Sequence, residues 1–249
     1  MNDKASLADL AARVRGGARV TVLTGAGISK ESGIPTFRDA GGLWENHRLE
    51  DVATPQAYEH DPSLVHRFYN ARRRRLATVE PNAAHRALVD FERALGHRFT
   101  LITQNVDDLH LRAGSVRVLP MHGELLKARC VRCRQIQVAA GDLTIDTLCP
   151  KCGGKLRPHI VWFGEMPLFL EEEIPTALRA EIFACIGSSS VVYPAAGFVL
   201  EAKAHGAFTI EVNPESTAAS GAFDLVLRGP ATREVPQLVR GLLALDSTG

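Results

Sequence analysis

The sequence predicts an α/β fold: a Rossmann-like domain on a parallel sheet, with a small zinc-binding and helical lobe inserted into it. Three observations predict it. Short runs of consecutive apolar residues, at 20–23, 100–103, 182–186, 208–212 and 225–227, have the pattern of strands buried on both faces. Helical patterns at 82–95, 198–205 and 234–245 lie between or beside them, and that alternation makes a parallel sheet covered on both sides. The region 130–152 breaks the rhythm and concentrates four of the five cysteines.

The elements follow in chain order. Residues 1–17 read as an amphipathic helix with Ser6 as its N-cap, without the continuous apolar segment of a secretory signal. The run 20–23 leads directly into Gly25-Ala26-Gly27, where backbone lacking Cβ atoms can approach a phosphate. A dehydrogenase fingerprint needs a third glycine at position 30, where Lys30 stands. The loop continues instead into Thr36-Phe37-Arg38, which adds a hydroxyl, an aromatic ring and a fixed cation. That set suits a dinucleotide held for cleavage rather than for hydride transfer. The stretch 43–76 is helical and irregular and contains four arginines at 72–75. Polar groups just past strand ends are where such sheets bind ligands, which marks Gly187-Ser188-Ser189 and Asn213-Pro214-Glu215.

Cys130-x-x-Cys133 and Cys149-x-x-Cys152 are separated by residues 134–148. Two such turns bring four thiolates to one tetrahedral ion, so a structural zinc is expected, with no open position for water. Lys127, Arg129, Arg132, Arg134, Lys151, Lys155 and Arg157 surround the cluster and are expected to offset its negative charge. Cys185, in an apolar run, reads as a buried small hydrophobe.

Composition sets the outer bounds. The chain has 249 residues, 45% hydrophobic and 23% charged, enough for one large core or one core plus a small module. A net charge of +1 gives no global case for nucleic acid or a membrane surface. No apolar run approaches the roughly 20 residues that span a bilayer. The cytoplasm is the expected compartment, and there paired cysteines favour metal over disulfides. A monomer is favoured, with nothing in charge or pattern set against a dimer.

The motifs GAGIS at 25–29 and GIPTFR at 33–38, then Gln104-Asn105-Val106-Asp107 and His122-Gly123, resemble the sirtuins, the NAD-dependent protein deacylases. The match runs from about the first strand to residue 229. It implies one catalytic domain, with a large part at about 1–42, 78–126 and 160–249. The small lobe takes a helical part at about 43–77 and a zinc module at about 127–159. It also implies NAD as co-substrate and one structural zinc ion. Gly25, Ala26, Gly27 and Ser29 would then meet the pyrophosphate. Phe37 would cover the nicotinamide end, Arg38 would reach a phosphate or the nicotinamide-side ribose, and Thr36 and Trp44 would belong to the same cofactor site. Gln104, Asn105, Val106 and Asp107 would line the nicotinamide ribose, with Asn105 and Asp107 orienting the sugar and its water. Ser188 stands where the family usually has threonine, and Ala231 retains only a backbone role near adenine. His122 falls at the family's catalytic base, and His110 is expected to be structural.

The implied reaction begins with attack of an acyl-lysine oxygen on C1′ of the nicotinamide ribose, and nicotinamide leaves. An alkylimidate forms, and His122 helps a ribose hydroxyl attack it. Free lysine and O-acyl-ADP-ribose result. The partner is therefore an acylated lysine on a protein or peptide.

Tyr69-x-x-Arg72 resembles an element of the class III sirtuins, which remove succinyl, malonyl and glutaryl groups. Residues three apart share a helix face, and a phenol with a guanidinium can grip a carboxylate. Ala53 stands where deacetylase relatives carry a bulkier residue, leaving room for a longer acyl chain. Val161-Trp162-Phe163-Gly164-Glu165 also matches. Its backbone is expected to pair with an extended peptide, with Val161 and Phe163 lining the lysine tunnel. Arg73, Arg74 and Arg75 read as solvated or partner-facing.

Rival readings carry distinct expectations. An oxidoreductase needs the third glycine and a ribose-binding acid after the second strand, and neither stands in context. A zinc-ribbon module on nucleic acid is permitted by the basic residues near the cysteines but not by the near-neutral chain. A sirtuin acting mainly as deacetylase or ADP-ribosyltransferase has no use for the Tyr69–Arg72 pair.

Overall fold

The apolar runs become strands within one residue of the positions that their composition predicts. The computed structural model describes residues 7–35 and 47–244, so Ser6, Thr36, Phe37, Arg38 and Trp44 lie outside the described residues. In chain order the strands are β1 (Val20–Thr24), β2 (Phe99–Thr103), β3 (Val118–Pro120), β4 (Gly123–Cys130), β5 (Ile136–Val138), β6 (Leu156–Ile160), β7 (Ile182–Ile186), β8 (Phe208–Asn213) and β9 (Leu225–Arg228). The helices are α1 (Leu7–Arg15), α2 (Leu49–Val52), α3 (Pro55–His60), α4 (Pro62–Leu76), α5 (Ala83–Leu95), α6 (Leu109–Ala113), α7 (Glu173–Ala177), α8 (Phe198–Ala204) and α9 (Ala231–Leu243).

Six strands form a parallel sheet in the order β3-β2-β1-β7-β8-β9. The register pairs Thr24 with both Thr103 and Ile186, and Ile186 with Val212, so four strands end at one level. Alternate residues point to opposite faces. On one side Val20, Val22, Ile182, Ala184 and Ile186 pack with α1, α5 and α9. On the other, Leu23, Phe183 and Cys185 pack with α7 and α8. Cys185 is thus the buried small side chain expected, and burial pushes its thiol up to about 12.

Local signals set the helix ends. Asn82 caps α5, accepting from the Ala84 and His85 amides, while His85 Nδ1 accepts the Asn82 N–H. The last helix begins at Ala231 rather than 234. Pro230, in extended conformation, supplies its N-cap, and Glu31 accepts the Thr232 N–H at 3.1 Å. Thr54 and Asp61 cap α3 and α4, each followed by proline at the first helical position.

The inserted lobe has two parts. The helices α2 to α4 enclose a cluster that includes Val52, Val65, Phe68, Tyr69 and Leu76, completed by Leu125, Ile160 and Trp162. An antiparallel sheet, β5-β4-β6, ends β4 at Cys130, with the other three cysteines in the segments between its strands, and has a small core of Ala128, Leu143 and Leu156. The chain crosses into this sheet at His122-Gly123 and returns at Ile160-Val161. The crossings lie side by side: Gly123 pairs with Ile160, and Val161 N–H donates to His122 O at 2.9 Å. Gly123 has φ +85, and a Cβ there would lie 2.2 Å from His159 O.

Of the arginines expected to be solvated, Arg73 is not, whereas Arg74 and Arg75 are exposed as expected. At 3.6 residues per turn, consecutive side chains leave a helix in different directions. Arg73 is buried and donates to Leu125 O and Asn70. Arg74 pairs with Asp142 at 2.6 Å, and Arg75 donates to Gly33 O at 3.0 Å. Among the described residues, no helix is long and apolar enough to cross a membrane.

Candidate active site

A cavity of about 640 Å³ opens at the shared C-terminal edge of the sheet and extends under the inserted lobe. The turn after β1 supplies Gly25, Ala26 and Gly27, and the turn after β2 supplies Gln104, Asn105, Val106 and Asp107. Gly187, Ser188 and Ser189 follow β7, and Asn213, Pro214 and Glu215 follow β8; Ala231 comes from the start of α9. The lobe contributes Ala53, Tyr69 and Arg72, and the crossings contribute His122, Val161, Trp162 and Phe163. One predicted residue stands apart. Ser29 is fully buried behind the wall, where its hydroxyl donates to Asp107 Oδ2 at 3.0 Å and accepts from Asn105 Nδ2 at 3.3 Å. It therefore orients the carboxylate rather than facing a phosphate.

The glycines are required for a reason that the motif did not reveal. The turns after β1 and β7 touch backbone to backbone. Gly25 N–H donates to Ile186 O at 3.0 Å, and Gly27 N–H to Gly187 O at 2.8 Å. A Cβ on Gly25 or Gly27 would lie 2.7 Å from backbone of the opposite turn, and one on Gly187 2.5 Å from Ile28 N. Two of the amides expected to cradle an anion are thus already engaged. Gly27→Ala is expected to destabilise the fold by about 1–3 kcal/mol through overpacking, read as a fall in the denaturation midpoint.

His122 is oriented by one contact. Its Nδ1 lies 3.0 Å from Gln104 O. A carbonyl only accepts, so Nδ1 carries the proton and Nε2 keeps its lone pair. Burial lowers the His122 pKa, which keeps the ring neutral and able to take a proton. Asp107 is pushed up to about 6 by burial, against donation from the Leu109 amide and the Ser29 hydroxyl. His110 is structural, as expected: it is buried, with Nε2 3.0 Å from Thr24 Oγ1.

The far end of the cavity rests on an anchor that the sequence reading missed. Glu211 is buried at the end of β8 and accepts from Thr217 at 2.5 Å, Ser220 at 2.6 Å and Arg228 at 2.8 Å. Arg228 also donates to Glu215 O at 3.0 Å, so the loop after β8 is pinned around the cavity. An acid inside the apolar run 208–212 was the available signal. Glu31, Lys30 and Arg75 line the cavity and were likewise not singled out.

At the lobe end, Tyr69 and Arg72 lie one turn apart on α4, and both line the cavity. The Tyr69 hydroxyl accepts from Trp162 Nε1 at 3.0 Å, and burial pushes its pKa up. Arg72 sits over the Phe68 ring, 5.5 Å from its centroid. Ala53 is buried and accepts the Phe163 N–H at 3.0 Å. Val161, Trp162 and Phe163 have their N–H groups bonded to His122 O, Glu165 and Ala53 O. A peptide pairing here meets a segment whose donors are largely used.

The four cysteine sulfurs lie within 4.8 Å of one another, with Cys130–Cys152 at 3.5 Å and Cys133–Cys149 at 3.7 Å. Tetrahedral bonds of about 2.3 Å give sulfur–sulfur edges of about 3.8 Å, so the set fits one zinc ion. Amides of Arg132 and Cys133 approach Cys130 Sγ at 3.4 Å. The basic residues are less uniform than expected. Arg129 and Arg157 pair with Glu165 at 3.2 and 2.7 Å, and Lys127 with Glu124 at 2.6 Å, because β4 and β6 direct them away from the sulfurs.

The family model described as Sir2 family matches residues 25–194. An NAD-dependent protein deacylase of Escherichia coli (strain K12) is 55% identical over 229 residues, 90% of this chain and 82% of that protein. The solved structure of a Sir2 homologue–NAD complex superposes with a TM-score of 0.84 at 40% identity, covering 95% of this chain and 92% of that one. A Sir2–p53 peptide–NAD+ structure has a TM-score of 0.77 at 29% identity, covering 92% and 95%.

Proposed function

The chain belongs to the Sir2 family, and on that footing we propose an NAD-dependent protein-lysine deacylase whose preferred acyl groups end in a carboxylate. The observation that carries the preference is the placement of Tyr69 and Arg72 in the same cavity as His122. A guanidinium and a phenol can hold a carboxylate by charge-assisted hydrogen bonds, and an acetyl group offers them no such partner. Buried Ala53 leaves room for the longer acyl chain.

NAD supplies the electrophilic C1′ and the nicotinamide leaving group. The chain's own residues do the rest. The sheet-edge turns position the nucleotide, and the pinned loop at 213–220 takes its far end. Asn105 and Asp107 would face the ribose, with Asp107 held by Ser29. His122 Nε2 would take the proton of a ribose hydroxyl. The zinc ion, held by Cys130, Cys133, Cys149 and Cys152, has no open position and serves structure alone. Four cysteines set as metal ligands fit a reducing compartment, which supports the cytoplasm.

The test compares one lysine peptide in succinylated and acetylated forms, with and without NAD, for the natural protein, Tyr69→Phe and Arg72→Met. The expected products are nicotinamide and O-succinyl-ADP-ribose, formed faster than the acetyl equivalent. Each substitution is expected to cut the succinyl-to-acetyl ratio of kcat/KM by about 10- to 100-fold, the worth of a hydrogen bond to a charged group. An unchanged ratio would overturn the carboxylate-holding role of Tyr69 and Arg72, and faster acetyl turnover by the natural protein would make it chiefly a deacetylase.

A further inference from the structure

The hydrogen bond from Trp162 Nε1 to the Tyr69 hydroxyl, 3.0 Å and buried, has a direction that matters. An indole N–H only donates, so the phenolic oxygen accepts there and its own proton is directed away from the indole. We propose that Trp162 is a positioning residue for acyl selectivity: it locks Tyr69 in the rotamer that presents O–H, not a lone pair, to the acyl carboxylate. This rests on the carboxylate-holding reading of Tyr69 and Arg72.

The indole is itself fixed from two sides. The Arg157 guanidinium lies 3.3 Å from its ring centroid. That guanidinium is held by both Glu165 oxygens, at 2.7 and 2.9 Å, and by Ile160 O at 2.8 Å. Glu165 also accepts the Trp162 backbone N–H at 2.9 Å, and Arg129 donates to it at 3.2 Å. Backbone and ring of residue 162 are thus tied to one carboxylate. Arg157, buried and paired, holds the ring that aims the phenol, which is a different task from balancing the cysteines.

The consequence for selectivity is electrostatic. A phenol free to rotate can turn its lone pairs toward the substrate, which repels a carboxylate. Donation from Trp162 removes that orientation, and a hydroxyl that accepts one hydrogen bond becomes a stronger donor of the next. An acetyl group carries no charge at that position and gains little from either effect.

The experiment is a double-mutant cycle on Trp162→Phe and Tyr69→Phe, reading kcat and KM for succinyl- and acetyl-lysine peptides. A second Trp162 variant, benzothienylalanine, keeps the ring shape and replaces N–H by sulfur, should phenylalanine leave too large a void. Either Trp162 variant is expected to lower the succinyl-to-acetyl ratio about 3- to 10-fold, mainly through KM for the succinyl peptide. In a Tyr69→Phe background the same change should have no further effect on the ratio. Equal loss on both substrates, or an additive loss in that background, makes Trp162 a packing residue and overturns the proposal. If Tyr69→Phe alone leaves the ratio unchanged, the carboxylate reading itself fails, and this inference with it.

Discussion

His122→Ala is expected to lower turnover of succinyl- and acetyl-lysine peptides alike by about 10²- to 10⁴-fold, the range for removing a positioned general base. The Gln104 carbonyl leaves only Nε2 to act as that base, and no other imidazole lines the cavity among the described residues. In the proposed mechanism nicotinamide leaves before the base acts, so exchange of labelled nicotinamide into NAD should fall much less than turnover. Equal loss of both would place His122 in binding rather than proton transfer. The pH profile of the natural protein follows from the same geometry. Burial lowers the His122 pKa and pushes that of Asp107 up to about 6. Raising pH deprotonates both, so kcat/KM should rise through about pH 6 and level off by neutrality. Asp107→Asn should remove the carboxylate's part of that rise.

Removal of zinc is the second large effect. Binding of a structural zinc is worth about 10–16 kcal/mol in small modules, comparable with the about 5–15 kcal/mol that stabilises a whole domain. The core between β4, β5 and β6 is small, so without the ion this sheet should unfold. The loss should not stay local. Asn70 on α4 exchanges two hydrogen bonds with Leu143, at 2.8 and 3.0 Å, and Arg74 pairs with Asp142. Tyr69 and Arg72 stand on that same helix. Cys149→Ala, or prolonged chelation, should therefore abolish activity on both peptides and release about one zinc per chain by elemental analysis. Re-adding zinc should restore the chelated protein. Full activity in metal-free protein would contradict the structural role.

The strands and the cysteine cluster were legible because each depends on local pattern: consecutive apolar residues, or paired thiols two residues apart. The residues expected at the catalytic and acyl ends were named through motif resemblance, and one cavity brings them together from five separate stretches of chain. What stayed hidden depends on tertiary contact. Gly25 and Gly27 looked like a phosphate cradle, but the opposing turn at Gly187 dictates their size. Ser29 looked like a ligand, but burial turns it toward Asp107. Arg73 looked solvated, like the exposed Arg74 and Arg75 beside it, because its partner Leu125 lies far away in sequence. Glu211 was passed over inside an apolar run because the groups that neutralise it arrive from β9 and the preceding loop.

The side-by-side crossings at Gly123 and Ile160 have a mechanical meaning. Backbone packs there too tightly for a side chain, and the base and the acyl-end segment 161–163 sit on adjoining rails of one joint. The Val161 N–H bond to His122 O, 2.9 Å, fixes the spacing of the two rails at that point. A backbone change at either crossing is therefore felt at the base and at the acyl end together, and the two ends of the cavity share one frame.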